Sequence, residues 1–147
     1  MEDSKQLKKR ARIFATKLVH CVMRKEVPTW TSESAFEDDD IFPNLMQTEI
    51  EKICELNSLS VLCDYRRSFA GKEKTIEAFN KFCSSMSSIT LQQEVKLETF
   101  LNYAAFLAKM STYIYKAVIE APDIAICHIS YVLATRYPDL LLKKASK

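Results

Sequence analysis

Apolar residues recur along this chain at spacings of three and four, the pattern of helices with one buried face. Leu7, Ala11, Phe14, Leu18 and Cys21 form the first stripe and predict a helix from Ser4 to about Lys25, with Ser4 as its N-cap. Pro28 ends that run, and Thr29 to Pro43 reads as a linker that Trp30 and Phe36 tack to the body. Leu45 to about Ala70 is a second helical segment. Ile50, Ile53 and Cys54 begin its stripe, Leu62, Tyr65 and Phe69 continue it, and Asn57-Ser58 marks a bend. Gly71 stands where a left-handed cap would close this segment. A further helix is expected over Glu73 to Met86, with Ile76, Phe79, Phe82, Cys83 and Met86 on one face. Ser84 to Thr90 reads as a break with its turn at Ser87-Ser88, and Thr90-Leu91-Gln92-Gln93 has the form of a capping box that opens the next helix.

That next stretch, Leu97 to Ile119, is apolar on nearly every face. After Glu98 its only charges are Lys109 and Lys116, and it holds no Gly or Pro. A helix of this kind belongs inside a protein or a membrane. Two lysines, Asn102 and the tyrosines Tyr103, Tyr113 and Tyr115 are costly in lipid, so the interior of a globule is the expected place. The helix should end near Glu120. Pro122 suits the first position of another helix, which carries Ile126, Ile129, Leu133 and Tyr137. Pro138 stops it, and Asp139 to Ala145 is a short final turn or helix. The expectation is an all-α single domain over residues 1–147, with six or seven helices, the fifth or so buried at the centre.

Composition sharpens this. A single glycine in 147 residues leaves little room for hairpins or a phosphate-cradling loop. A net charge of +2 gives no strong pull toward nucleic acid. Lys8, Lys9, Arg10, Arg12 and Lys17 lie mostly off the first apolar stripe and read as a solvated face. A nucleic-acid module would have to use this region, Lys5 to Arg12. Five cysteines, an odd number without a C-x-x-C spacing, predict free buried thiols in a reducing compartment. The polar opening, Met1 to Arg10, predicts no signal peptide, and Leu140-Leu141-Leu142 before Lys143-Lys144 is too short for an anchor. Glu37-Asp38-Asp39-Asp40 lacks the alternating ligands and central glycine of a calcium loop, and two histidines make a His-rich metal site unexpected. His20-Cys21 and Cys127-His128 are neighbours in sequence, which on a helix point about 100° apart, so neither pair forms a catalytic dyad. No enzyme, cofactor or metal is expected.

The order of these pieces resembles the Bcl-2 family of apoptosis regulators. Four segments carry the resemblance. Phe14-Ala15-Thr16-Lys17-Leu18, followed by Trp30, is similar to the family's first helix. Asp64-Tyr65-Arg66-Arg67-Ser68-Phe69 is similar to its Tyr-Arg-Arg-Ala-Phe segment and is the most specific of the four. Ala78-Phe79-Asn80-Lys81-Phe82 resembles the start of the helix before the central one, and Leu133-Ala134-Thr135-Arg136-Tyr137 resembles the end of the sixth. The family's Asn-Trp-Gly-Arg motif is absent, with Lys96-Leu97-Glu98-Thr99 near its place. The Gly-Gly-Trp motif and the membrane anchor are absent too, a pattern most similar to virus-encoded members.

The resemblance implies a Bcl-2-like helical bundle whose surface groove holds the BH3 helix of pro-apoptotic relatives, and so an inhibitor of apoptosis with narrow ligand choice. Carried over position by position, the groove would be Val61, Tyr65, Phe69, Phe82, Met86, Thr99, Asn102 and Phe106. Arg66, Arg67 or Lys96 would replace the family arginine that pairs with the ligand's aspartate, while Glu98 would repel it. Phe82→Ala or Met86→Ala should weaken ligand binding and leave helicity intact. The implied location is the cytoplasm, that of the host cell for a viral protein, or the mitochondrial periphery, and a homodimer is compatible with the pattern. The alternative is a Bcl-2-fold module acting on innate immune signalling adaptors without binding BH3 helices.

Overall fold

Burial of one helix sets the arrangement of the others. The computed structural model describes residues 2–28, 30 and 44–142. In chain order the helices are α1 (Glu2–Glu26), α2 (Asn44–Phe69), α3 (Ile76–Leu91), α4 (Leu97–Ile114), α5 (Ala121–Arg136) and α6 (Asp139–Leu142), with no strand among the described residues. The architecture is all-α. α4 packs against α1, α2, α3 and α5, while α5 also packs along α1 and α3. Phe100, Leu107, Met110 and Ile114 of α4 are completely buried, and Ala104, Ala105 and Ala108 let neighbouring backbones come close. Ser111, buried beside them, donates to Ala108 O at 2.6 Å, so its hydroxyl costs the core little. Phe14 of α1 meets Phe100 at a ring-centroid distance of 6.1 Å, and Phe100 meets Tyr137 at 5.2 Å.

Several boundaries differ from the expectation. α1 begins at Glu2, which places Ser4 inside the helix and not at its cap. α2 is one continuous helix through Asn57-Ser58, where Asn57 Nδ2 bonds back to Ile53 O at 3.0 Å. α3 starts later than Glu73, behind an N-cap at Thr75 whose hydroxyl accepts from Ala78 N at 3.0 Å. It then continues through the serine run to Leu91. Ser87 is buried and lies 2.6 Å from Tyr103 OH, so a tertiary contact satisfies the hydroxyl that would otherwise favour a turn. Thr90 is therefore near the end of α3 and caps nothing in α4, which starts at Leu97 behind Lys96 with no side-chain cap.

The central helix is the fourth and stops at Ile114, well before Glu120. Ala117 N and Val118 N both bond Ile114 O, at 3.0 and 2.9 Å, turning the chain so that Val118 is buried. The aromatic and β-branched residues Tyr113, Ile114, Tyr115, Val118 and Ile119 are weak helix formers, so packing decides here. Pro122 occupies the second position of α5, after Ala121, and its missing N–H is harmless there. Gly71 has φ +71°, the left-handed cap the sequence called for. Trp30 is buried, with its ring 5.9 Å from that of His20. Phe36, the acidic Glu37–Asp40 cluster and residues 143–145 lie outside the described residues.

Candidate functional site

α2, α3 and α4 enclose an open groove of about 540 Å³. α2 contributes Ile53, Cys54, Asn57, Ser60, Val61 and Asp64. α3 and the turn after it contribute Met86, Ile89, Thr90 and Gln93. α4 contributes Thr99, Asn102, Tyr103, Ala105, Phe106 and Lys109. The residues recur at helical spacing on each wall, Thr99-Asn102-Phe106-Lys109 on α4 and Ile53-Asn57-Ser60-Asp64 on α2. Apolar side chains alternate with amides and hydroxyls, and Ile89 is 49% exposed on the rim.

Of the residues expected in a groove, Val61, Met86, Thr99, Asn102 and Phe106 line this one. Tyr65, Phe69 and Phe82 do not. They form an aromatic row next to it: Tyr65 to Phe69 at 5.5 Å, Phe69 to Phe82 at 5.5 Å, Phe82 to Phe106 at 5.9 Å, with Tyr113 against Tyr65 at 5.6 Å. Phe69 is a core residue, 3% exposed, while Tyr65 and Phe82 are half-buried. The row packs rings of α2, α3 and α4 against one another beside the groove.

The expected charge partners also fall elsewhere. Arg66 and Arg67 are exposed and line no part of the groove, and Arg67 Nη1 holds Asp64 Oδ1 at 2.9 Å. Lys96 is exposed and lies 3.5 Å from Glu94 Oε1. The lysine in the groove wall is Lys109, one of the two charges in the apolar stretch after Glu98. Its position seven residues after Asn102 and three after Phe106 was the signal that could have found it. Lys109 Nζ lies 3.0 Å from Glu26 Oε2, its side chain is 13% exposed, and it stands 5.8 Å over the Tyr113 ring. Asp64 is the groove's carboxylate, so the walls carry one charge of each sign.

Lys109 also borders a second cavity of about 260 Å³, lined by Cys21, Val22, Lys25, Glu51, Cys54, Glu55 and Ser58. Burial pushes the Cys21 thiol up to about 12, helped by the Glu51 carboxylate that accepts from its sulfur at 3.6 Å. Burial likewise lifts Cys54 to about 11, against the pull of Lys109 and Lys25. Both thiols stay protonated at neutral pH and are poor nucleophiles.

A polar chain leads from the groove wall outward. Tyr103 OH lies 2.6 Å from Ser87 Oγ, which is 3.5 Å from His128 Nδ1, and His128 Nε2 lies 2.8 Å from Asn80 Oδ1. Burial lowers the His128 pKa, which keeps the ring neutral, with Nε2–H donating to the Asn80 carbonyl and Nδ1 accepting. Neighbouring Cys127 has a different partner, its sulfur accepting from Arg12 at 3.2 Å. Among the described residues no three His, Cys, Asp or Glu stand together as a metal site, and no helix is long and apolar enough to cross a membrane. No protein-family model, curated protein or solved structure matches the chain.

Proposed function

We propose that this chain is a Bcl-2-like inhibitor of apoptosis that holds the BH3 helix of a pro-apoptotic protein in the groove between α2, α3 and α4, acting in the cytoplasm and most similar to virus-encoded members of that family. The supporting observation is the groove's place. It lies between the helix ending in Asp64-Tyr65-Arg66-Arg67-Ser68-Phe69 and the buried apolar helix, with Val61, Met86, Thr99, Asn102 and Phe106 in its walls.

Its dimensions suit such a ligand. Ile53 to Asp64 on α2 and Thr99 to Lys109 on α4 each span about 15 Å at 1.5 Å per residue. A helix with apolar anchors at i, i+4, i+7 and i+11 spreads them over about 16 Å. Met86 and Phe106 supply adaptable apolar area to receive them. The lost family arginine costs a charge-assisted bond worth roughly 1.5–3 kcal/mol, so ligand choice is narrow. Calorimetric titration with a panel of BH3 peptides tests this. Saturable one-to-one binding to a few peptides is expected. No binding to any peptide refutes the proposal, and low-nanomolar binding to most of the panel refutes the narrow choice.

A further inference from the structure

α2 carries a second apolar line that neither the core nor the groove uses. Leu45, Leu56 and Leu59 are 85%, 77% and 72% exposed. With Lys52, Cys63 and Ala70, also exposed, they follow one another at steps of seven, four, three, four and seven. That is a heptad seam, the 3.5-residue repeat by which one helix packs against another over several turns. Ala70 continues the helical turn past Phe69 through its bond to Arg66 O at 2.8 Å. The seam lies roughly 100° around the helix from the groove-lining Ile53, Asn57, Ser60 and Asp64.

The order of residues on this seam says what covers it. In an antiparallel pair of helices the two seam positions of each heptad meet in alternation. Turned end for end about the midpoint between Asn57 and Ser58, the seam matches itself. Leu56 meets Leu59 of the other copy, Cys63 meets Lys52, and Ala70 meets Leu45. The intervening seam layer pairs Glu49 with Arg66, opposite charges, twice by symmetry. Both residues are exposed, and neither is in an ion pair among the described residues. Lys52 can lay its methylene stem along the seam and keep its charge in water.

We infer that two copies of this chain associate through the exposed α2 seam as an antiparallel two-fold pair, with Leu56 and Leu59 at its centre and Glu49–Arg66 ion pairs fixing its register. The contact strip from Leu45 to Ala70 is about 38 Å long and about 10 Å wide. It falls short of the roughly 800 Å² per partner of standard interfaces, so the pair is weak and dissociates on dilution.

Sedimentation equilibrium of the full chain over a wide concentration range tests this, with circular dichroism confirming the fold of each variant. The wild type should pass reversibly from monomer to dimer. Leu56→Glu and Leu59→Glu, both at exposed positions, should stay folded and weaken the dimer by at least about tenfold, since each buries a charge against a leucine. Glu49→Arg and Arg66→Glu should each weaken it by about tenfold, and the double swap should return to within about threefold of the wild type. A chain that is monomeric at every concentration overturns the inference and leaves the seam to some other partner. A dimer indifferent to Leu56→Glu and Leu59→Glu, or a double swap no tighter than either single variant, overturns it as well.

Discussion

Met86→Ala and Phe82→Ala separate the wall of the groove from what supports it. Met86 lines the groove and is half-buried. Full burial of such a side chain is worth about 1.5–3 kcal/mol, so truncating a half-exposed one costs the fold about 1 kcal/mol. A domain of this size then melts about 2–4 °C lower. The ligand loses an apolar anchor contact of about 1–2 kcal/mol, a five- to thirtyfold weaker Kd. Phe82 is different. It touches Phe69, Phe79 and Phe106 at ring distances of 5.5, 6.4 and 5.9 Å and lines no part of the groove. Its removal leaves a hole in the aromatic row and costs about 3 kcal/mol, or about 6–12 °C in Tm. Thermal melting by circular dichroism paired with peptide titration reads both quantities on both variants. A Phe82→Ala protein that melts like the wild type, or a Met86→Ala protein that binds its peptide as well as the wild type, would refute this division of roles.

Other outcomes follow from single side chains. Burial lowers the pKa of both His128 and His20, for His20 with help from Arg24, so the unfolded chain binds more protons than the folded one just below the ordinary histidine value of 6.5. Stability should therefore be full above about pH 7 and fall as pH drops through 6.5 toward the folded pKa values; His128→Gln should flatten part of that fall in denaturant titrations at stepped pH. Cys63 and Cys127 are exposed, whereas Cys21, Cys54 and Cys83 are protonated by burial, so timed iodoacetamide labelling with mass detection should show two fast sites and three slow ones. Tyr137 OH is buried without a hydrogen-bond partner among the described residues, so Tyr137→Phe should raise stability by about 1 kcal/mol, seen as a higher urea midpoint at unchanged slope.

Elements whose apolar spacing was unambiguous appear in the structure close to where the sequence placed them. The first stripe fills the face of α1, where Ala11, Phe14 and Leu18 are completely buried, and the apolar stretch after Leu97 became the buried centre. Tertiary contacts overrode local chemistry at the serines of α3. Ser87 reads as a turn former until Tyr103, distant in sequence, is placed against it. The end of α4 was hidden for the opposite reason, since Tyr115 to Ile119 keep an apolar pattern after the helix has stopped. In the groove, period alone could not separate wall from support. Phe106 and Phe82 are aromatic residues in contact, and only their placement in three dimensions puts one in the groove and the other behind it. Lys109 was hidden because a charge in an apolar run looks like a cost until its partner Glu26, on another helix, is known.

The most instructive element is α2, because its sequence looks poorly amphipathic and the structure says why. An ordinary surface helix divides into one apolar and one polar face. α2 divides into three. Ile50 and Phe69 are buried, Ile53, Asn57, Ser60, Val61 and Asp64 line the groove, and Leu45, Leu56 and Leu59 face water. Apolar residues spread around the helix cancel one another in any single-face measure, so the sequence signal weakens as the number of jobs rises. A leucine at an exposed seam adds little to the stability of the monomer, because water still reaches most of it. If the three leucines were incidental, replacing them together with glutamine would leave both mass and groove affinity unchanged. If the seam pairs two copies, the same replacement releases monomers whose grooves still bind, because the groove-lining residues of α2 lie on a different side of the helix.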